Sequence, residues 1–559
     1  MVKGFFKNGK LILLRRQSNI LSAAFVIMVT VFASRILGLV RDRLLAGTFF
    51  GGQEWQLDTY FAAFRIPDMI FQLLVIGALS AAFIPVFSEY LTKNEKEAYR
   101  ISSSVINFVL LFFLVLAGLV FFLAGRLCRL IAPSFSPEQI SLMIDLTRIM
   151  LLAQLFFCFS NFLTGVIQSH QRFLVPALSP LAYNIGIIFG IIFLAPFWGI
   201  YGPTLGVVLG AIFHLLMQLP VAIKLGFVYQ LSAWDLTHSG VREIARLMLP
   251  RTLALAGNQI EATVAVFLAT SLAAGSLSIF YFAQHLMNVP VGLFGATIGQ
   301  AALPSLARET ALKEAESFKK TFTASLFQIL FLVLPASAIL LILRVPVVRL
   351  AFGAKNFPWQ ATILTGRVLA LFSLAIICQS LTQILVRGFY ALHDTRTPLF
   401  IGSVAVFINV ALSVYLTFSL GFEVVGLAAA TSLASLFHGF FLFLFLDRKI
   451  KGFPKKTMIT RLTKMLVATF FTLVFLWVPM RFLDRFILDT TRTVNLIILT
   501  IIATLMGLLV YVAFAYFLKI EELGEFLSLL KRLGKWRQVL QESEEVIEVP
   551  SQAQTLSKT

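Results

Sequence analysis

"SRILGLVRDRL" (residues 34–44) closes a mostly apolar run that begins at Leu21. Arg35 stands where such a run is still at membrane depth, and Arg41, Asp42 and Arg43 crowd its end. A guanidinium inside a bilayer is costly enough that it faces a wet cavity or a charged partner. The motif therefore predicts a membrane-embedded bundle with a polar interior.

Composition agrees. Of 559 residues, 58% are hydrophobic and 13% charged, with a mean hydropathy of +0.89, far from soluble averages. The 57 Phe suit lipid-facing surface. A net charge of +19 does not indicate a nucleic-acid partner, because the cations punctuate apolar runs as topology signals do. Cys128, Cys158 and Cys378 lie in or beside apolar runs with no CxxC spacing and no nearby His, so they read as small hydrophobes, without disulfide or metal. Lys3, Lys7, Lys10, Arg15 and Arg16 precede the first run, as in a secretory leader. That run continues directly into the arginine motif, so an uncleaved first span is expected.

Stretches of about 20 apolar residues fall near 20–40, 57–88, 101–124, 140–168, 175–195, 203–223, 247–273, 276–306, 318–343, 360–386, 398–419, 424–446, 462–480 and 493–518. The expected fold is thus all-α and polytopic with fourteen spans. Lys and Arg concentrate at the termini and in the loops on the N-terminal side, which puts both ends in the cytoplasm.

The chain also repeats. "GALSAAFIPVFSEY" (77–90) resembles "GATIGQAALPSLARE" (295–309), "GVIQSHQRFLVP" (165–176) resembles "GFYALHDTRTP" (388–398), and "GPTLGVVLGAIFH" (202–214) resembles "GLAAATSLASLFH" (426–438). The offsets are 219 (Pro85 to Pro304), 222 (Pro176 to Pro398) and 224 (His214 to His438), a near-constant period that implies duplication. Residues 1–224 (spans 1–6) and 225–450 (spans 7–12) read as two six-helix lobes related by a pseudo-two-fold along the membrane normal. Two extra spans occupy 451–519, and 520–559 is a cytoplasmic tail. Parallel repeats with a cleft between them are a transporter architecture. Pro67, Pro85, Pro290, Pro304 and Pro335, with Gly292, Gly295 and Gly299, interrupt several spans, as backbone lining a cavity or packing on protein does.

Polar groups mark the cleft. Asp58, Arg65, Asp68 and Gln72 fall within about 80° of arc on the second span, forming one stripe, and Arg65 and Asp68 can pair as i, i+3 neighbours. Arg35 and Asp42 share a face of the first span, while Arg41 points elsewhere and is assigned to a frayed helix end. In the second copy the matching surface carries Asn258, Gln259 and Glu261, then Gln284, His285 and Asn288. Glu261 must bind a proton, a cation or a basic partner, so it is the candidate for ion coupling, against a structural hydrogen bond. Asp145 and Arg148 read as a structural pair, and His214 and His438 as helix contacts. Guanidinium forks fit phosphate oxygens, so a phosphorylated lipid suits the site. No Walker A pattern occurs, so energy is expected from an ion gradient or the membrane potential. No acid–base or metal spacing suggests an enzyme.

"SRILGLVRDRLLAG" (34–47), "LDTYFAAFRIPD" (57–68), "YFAQHLMNVPVGLFGATIGQAALPSLA" (281–307) and "GFYALHDTRTP", in that order, resemble the MurJ/MviN lipid II flippases of the multidrug/oligosaccharidyl-lipid/polysaccharide exporter superfamily. The resemblance implies a flippase of the bacterial inner membrane, serving peptidoglycan synthesis and cell shape. It would carry the undecaprenyl-pyrophosphate-linked precursor outward by alternating access, with spans 13–14 as a lipid-tail groove. It needs no cofactor beyond a possible Na+ or H+, and its partners are lipid II and membrane lipids, as a monomer. Arg35 and Arg41 match the family's cavity arginines, and Asp42 and Asp58 its acidic partners. Gln72, Ile76, Gln284 and His285 depart from charged residues usual there, and His285 supplies a third cation when protonated. Ala265 stands where members with a sodium site have an acid, while Asn409, Ser413 and Thr431 approximate the other ligand positions. Rival readings are a flippase for another polyprenyl-pyrophosphate saccharide, an ion-coupled multidrug antiporter, which would prefer an acidic aromatic cavity, and an inert scaffold.

"FLSLLKRLGKWRQVL" (526–540) has apolar and basic residues at helical spacing, as a helix on an anionic leaflet has, and residues 542–559 read as disordered.

Overall fold

A computed structural model describes residues 20–76, 82–354 and 356–533. Among the described residues all regular structure is helical, the arrangement in which a chain in hydrocarbon satisfies its own backbone. Helix α1 (Ile20–Phe49) runs unbroken through the arginine motif. The frayed end expected near residue 40 does not exist, because Leu45, Ala46 and Phe49 pack into the core and hold the helix on. The next rod is broken. Helices α2 (Glu54–Ala63) and α3 (Arg65–Phe71) meet at Phe64, a π-helical turn spans Gln72–Ile76, and α4 (Ile84–Lys93) follows. Pro67 has no N–H to give the Ala63 carbonyl, which is where α2 stops.

The first half continues with α5 (Glu95–Ile131), α6 (Pro137–Ser169), α7 (Leu174–Phe189), a π turn at Gly190–Leu194, α8 (Ala195–Trp198) and α9 (Tyr201–Lys224). The second contains α10 (Ser239–Ala269), α11 (Ser276–Pro290), a π turn at Val291–Ala296, α12 (Thr297–Ala311), α13 (Ala315–Ile342), α14 (Arg344–Phe352), α15 (Trp359–Ala391), α16 (Arg396–Val414), a π turn at Tyr415–Ser419 and α17 (Glu423–Lys449). Then come α18 (Lys455–Phe486), α19 (Thr493–Phe517) and α20 (Glu521–Leu533). Among the described residues, 11 helices are long and apolar enough to cross a membrane, against the fourteen expected. The runs outside that set are α1, the broken α2–α4 rod and α10, which carry Arg35, Arg65 and Glu261.

Where the sequence repeats, the backbone repeats. The π turns at 72–76 and 190–194 recur at 291–296 and 415–419. Gln171 (φ 58°) and His393 (φ 56°) occupy the same place in their loops, as do Gly199 (φ 53°) and Gly421 (φ 68°). Positive φ at a non-glycine residue is uncommon, so its recurrence at one register is specific.

Within the first half, α7 and α9 lie in backbone contact. A Cβ on Gly186 would fall 2.3 Å from the Gly210 Cα, and one on Gly190 2.7 Å from the Gly206 Cα. Small residues every four positions permit this approach, which supplies dispersion where lipid offers no hydrophobic drive.

The halves join at the end that carries loops 50–53 and 270–275. There Arg43 Nη1 donates to the Leu350 carbonyl (2.6 Å), Ser134 meets Ser271 (3.1 Å), and Gly47 lies against Ala354. At the opposite end, Tyr90 meets Ser239 at the start of α10 (2.9 Å), and Glu97 meets His238 just before it (3.0 Å). Helix α20 starts earlier than expected, at Glu521. Its first turn is tied to α18 by Arg461, paired with Glu521 and with Glu522 (3.6 Å), and to α13 by Gln328 donating to Glu525 (2.6 Å). The rest of the expected tail helix, the basic N-terminal segment and residues 77–81 lie outside the described residues.

Candidate functional site

A cavity of about 360 Å³ opens between α1, α7 and α11, lined among others by Ser34, Arg35, Arg41, Asp42, Asn184 and His285. Arg35 is exposed to it and, among the described residues, makes no hydrogen bond or ion pair. Its Nη2 lies 3.7 Å from where a Cβ on Gly292 would stand, so the π turn in the α11–α12 rod brings bare backbone up to the guanidinium.

Arg41 has a different environment. Its Nε and Nη2 donate to Asp42 Oδ1 (3.0 and 2.8 Å), and its Nη1 donates to Asn184 Oδ1 (3.1 Å). The other Asp42 oxygen lies 2.7 Å from His285 Nδ1. One carboxylate, 1% exposed, thus holds a guanidinium of α1 and an imidazole of α11. This crosses between the halves. Breaking such a pair strands a buried charge. Asn184 is a cavity-lining residue that the sequence reading missed. Its signal was a lone amide inside an apolar span, on the face that also presents Pro180 and Ala177.

The stripe on the second rod divides. Asp58 is buried and accepts from the Gly275 amide (2.7 Å), the Ser278 amide (2.8 Å) and the Ser278 hydroxyl (2.6 Å). It therefore caps the start of α11 and is outside the cavity lining, contrary to a role in substrate binding. Arg65 does not pair with Asp68. Its Nε donates to Thr263 (2.9 Å), and its Nη2 to the Gln259 carbonyl (3.0 Å) and side chain. Both residues join the halves, Asp58 from α2 to the start of α11 and Arg65 from α3 to α10. Gln72 lies 3.5 Å from Asp68, and half-buried Asn288 is likewise outside the cavity lining.

Of the expected coupling residues, three assemble. Asn409 donates to Glu261, and Ser413 donates to Asn409 Oδ1 (3.2 Å). Thr431 turns back onto its own helix, donating to the Leu427 carbonyl (2.9 Å). Asp145 and Arg148 do not pair either: Tyr201 donates to Asp145 (3.1 Å), and Arg148 donates to the Phe121 carbonyl (3.2 Å) and lies over the Phe121 ring. His214 meets Ser160 (2.6 Å), a helix contact as expected.

A family model described as lipid II flippase MurJ matches residues 45–491. A probable lipid II flippase MurJ of Buchnera aphidicola subsp. Acyrthosiphon pisum is 31% identical over 437 residues, covering 77% of this chain and 84% of its own. One from Thermotoga maritima is 30% identical over 499 residues, covering 89% and 96%. Among solved structures, a lipid II flippase MurJ in an inward closed conformation superposes with a TM-score of 0.73 at 26% identity, over 89% of this chain and 99% of that one. A multidrug resistance MATE family transporter in an inward-facing conformation shares the fold, with a TM-score of 0.64 at 14% identity over 75% of this chain and 94% of that one. On these matches the chain belongs to the lipid II flippase MurJ family, whose members are integral membrane transporters of bacteria and not enzymes.

Proposed function

We propose that this chain carries lipid II from the inner to the outer leaflet of the cytoplasmic membrane by alternating access between two six-helix lobes. In this reading the fourteen helical rods from α1 to α19 all span, both termini are cytoplasmic, and α18 and α19 guide the lipid tail. The joined end, with loops 50–53 and 270–275, faces outward, so the cavity is reached from the cytoplasm.

The observation that carries the reading is the contrast between the two arginines. Arg35 presents its whole donor fork to the cavity, while Arg41 is held by Asp42 and Asn184. A diphosphate binds guanidinium bidentately, so it meets Arg35 first. It then competes with the Asp42 carboxylate for Arg41 and His285. Because Asp42 ties α1 to α11, that competition loosens a contact between the lobes, which couples binding to rearrangement. An ion gradient or the membrane potential drives the cycle.

Arg35→Ala is expected to abolish rescue of a strain depleted of its lipid II flippase, with membrane levels of the protein unchanged. Arg35→Lys, a point charge without the planar fork, should rescue partially. Normal growth with Arg35→Ala overturns the proposal.

A further inference from the structure

The linker between the halves, residues 225–238, is extended or turned, not helical. It runs beside α5 and follows that helix in both directions. The Leu225 carbonyl accepts from the Tyr99 hydroxyl (2.6 Å), the Gln230 amide donates to Ser103 (3.1 Å), and the turn at 230–233 reaches Asn107. From there the linker returns, with Asp235 at Arg100 (3.5 Å) and His238 at Glu97 (3.0 Å). It therefore dips about two helical turns along α5 and comes back.

Helix α5, long and apolar enough to cross a membrane, gives the depth of that dip. Arg100 and Arg126 lie 26 positions apart with no charged residue between them. That is about 39 Å of helix, close to the thickness of a bilayer with its headgroups. Asn107 lies about 10 Å inside Arg100 on the same scale, where headgroups give way to acyl chains. Irregular backbone at that depth needs its partners from the protein. The Asn107 amide supplies them: it donates to the carbonyls of Gln230 (3.1 Å), Leu231 (3.2 Å) and Ala233 (2.8 Å), and its own oxygen accepts from the Tyr229 hydroxyl.

The side chains divide accordingly. Phe227 and Ala233 are buried against the protein, whereas Val228, Leu231, Trp234 and Leu236 are 47–69% exposed. The Trp234 ring meets the Phe108 ring edge-on, 5.2 Å between centroids. Phe108 leads into Leu111, Phe112, Val115 and Leu119, an exposed apolar stripe at helical spacing on one face of α5. The outer face of the linker is thus continuous with the surface that α5 turns to lipid.

We propose that this linker is a re-entrant membrane segment held at depth by Asn107, and that its partner is the phospholipid of the adjoining leaflet. Leu231 sits among the acyl chains and Trp234 at the headgroup boundary, where its ring is favoured. The halves are then joined by a strap fixed in the bilayer, not by a slack tether. The assignment depends on α5 spanning the membrane, and on neither the substrate nor the direction of transport.

The test places single nitroxide labels on the full chain in phosphatidylcholine liposomes. The native Cys128, Cys158 and Cys378 are buried and escape labelling. Power-saturation EPR compares collisions with oxygen, which concentrates in the bilayer, and with a water-soluble nickel chelate. A label at Leu231→Cys should favour oxygen, as one at Phe112→Cys in the apolar stripe does, while one at Lys96→Cys on the exposed start of α5 should favour nickel. Adding Asn107→Leu strands three carbonyls, so the label at 231 should then lose its oxygen preference and match the one at 96. A label at 231 that favours nickel without that change shows the linker in water, and one shielded from both reagents shows it covered by protein. Either result overturns the proposal, as does an oxygen preference that survives Asn107→Leu. Should Asn107→Leu fail to fold, Leu231→Cys alone decides.

Discussion

Arg35 and Arg41 sit six residues apart on one helix, yet one is free in a cavity and the other is neutralised. That division was legible only in part. Both arginines are written in the motif, but the partner amide of Arg41 comes from Asn184, 143 positions away. Asp58 shows the reverse. As an acid at membrane depth it resembled a cavity group, and folding instead spends it on the first amides of α11, which a helix start always leaves unsatisfied. Asp394, in the loop before α16, gives a prediction at this scale. Burial pushes its carboxyl up, but the Lys449 ammonium and the Thr397 amide and hydroxyl outweigh that and hold it at about 2. A depressed carboxyl stabilises the fold above its unfolded value near 4, and that contribution disappears as pH falls through about 2. Thermal midpoints of wild type and Asp394→Asn should differ by a constant amount above about pH 5 and converge toward pH 2. A gap independent of pH would refute the assignment.

Among the elements, the α7–α9 pair sets the position of the cavity wall. Gly186 and Gly190 on one helix face Gly202, Gly206 and Gly210 on the other, and a Cβ on Gly210 would come 2.5 Å from the Tyr183 carbonyl. Tyr183 precedes Asn184, so spreading this pair moves the amide off Arg41. Gly210→Val is expected to destabilise by about 1–3 kcal/mol, the usual cost of overpacking, and to lower rescue of the depleted strain below what its membrane level explains. Unchanged thermal stability would show that the helices can separate freely. The spacing of these glycines is readable in "GPTLGVVLG" (202–210), but the identity of the facing helix is not. The π turns were likewise foreshadowed by the repeat only as Gly and Pro interruptions; their register needed the backbone.

At the scale of the whole molecule, the halves meet at the end that carries loops 50–53 and 270–275, through Asp42 and Arg65 further in, and again at Tyr90 and Ser239. The proposed alternating access requires the first of these to part. Gly51 and Asn356 face each other there, with a Gly51 Cβ falling 3.5 Å from that of Asn356, within disulfide range. The Gly51→Cys, Asn356→Cys double variant should lose transport when oxidised and regain it on reduction, measured as lipid II reaching the outer face of vesicles. The native Cys128, Cys158 and Cys378 are buried and free, so they leave the readout clean. Full transport by the oxidised form would rule out opening at this end.

The sequence by itself determined the helical class, the repeat and the presence of arginines at membrane depth, because apolar run length, period and the cost of burying charge are local quantities. Whether each polar group faces a cavity or another helix was decided by tertiary packing alone. Arg65 and Asp58 lie on the same stripe as candidate cavity residues, and only the approach of α10 and α11 from the other half of the chain turned them from solvent into structural bonds.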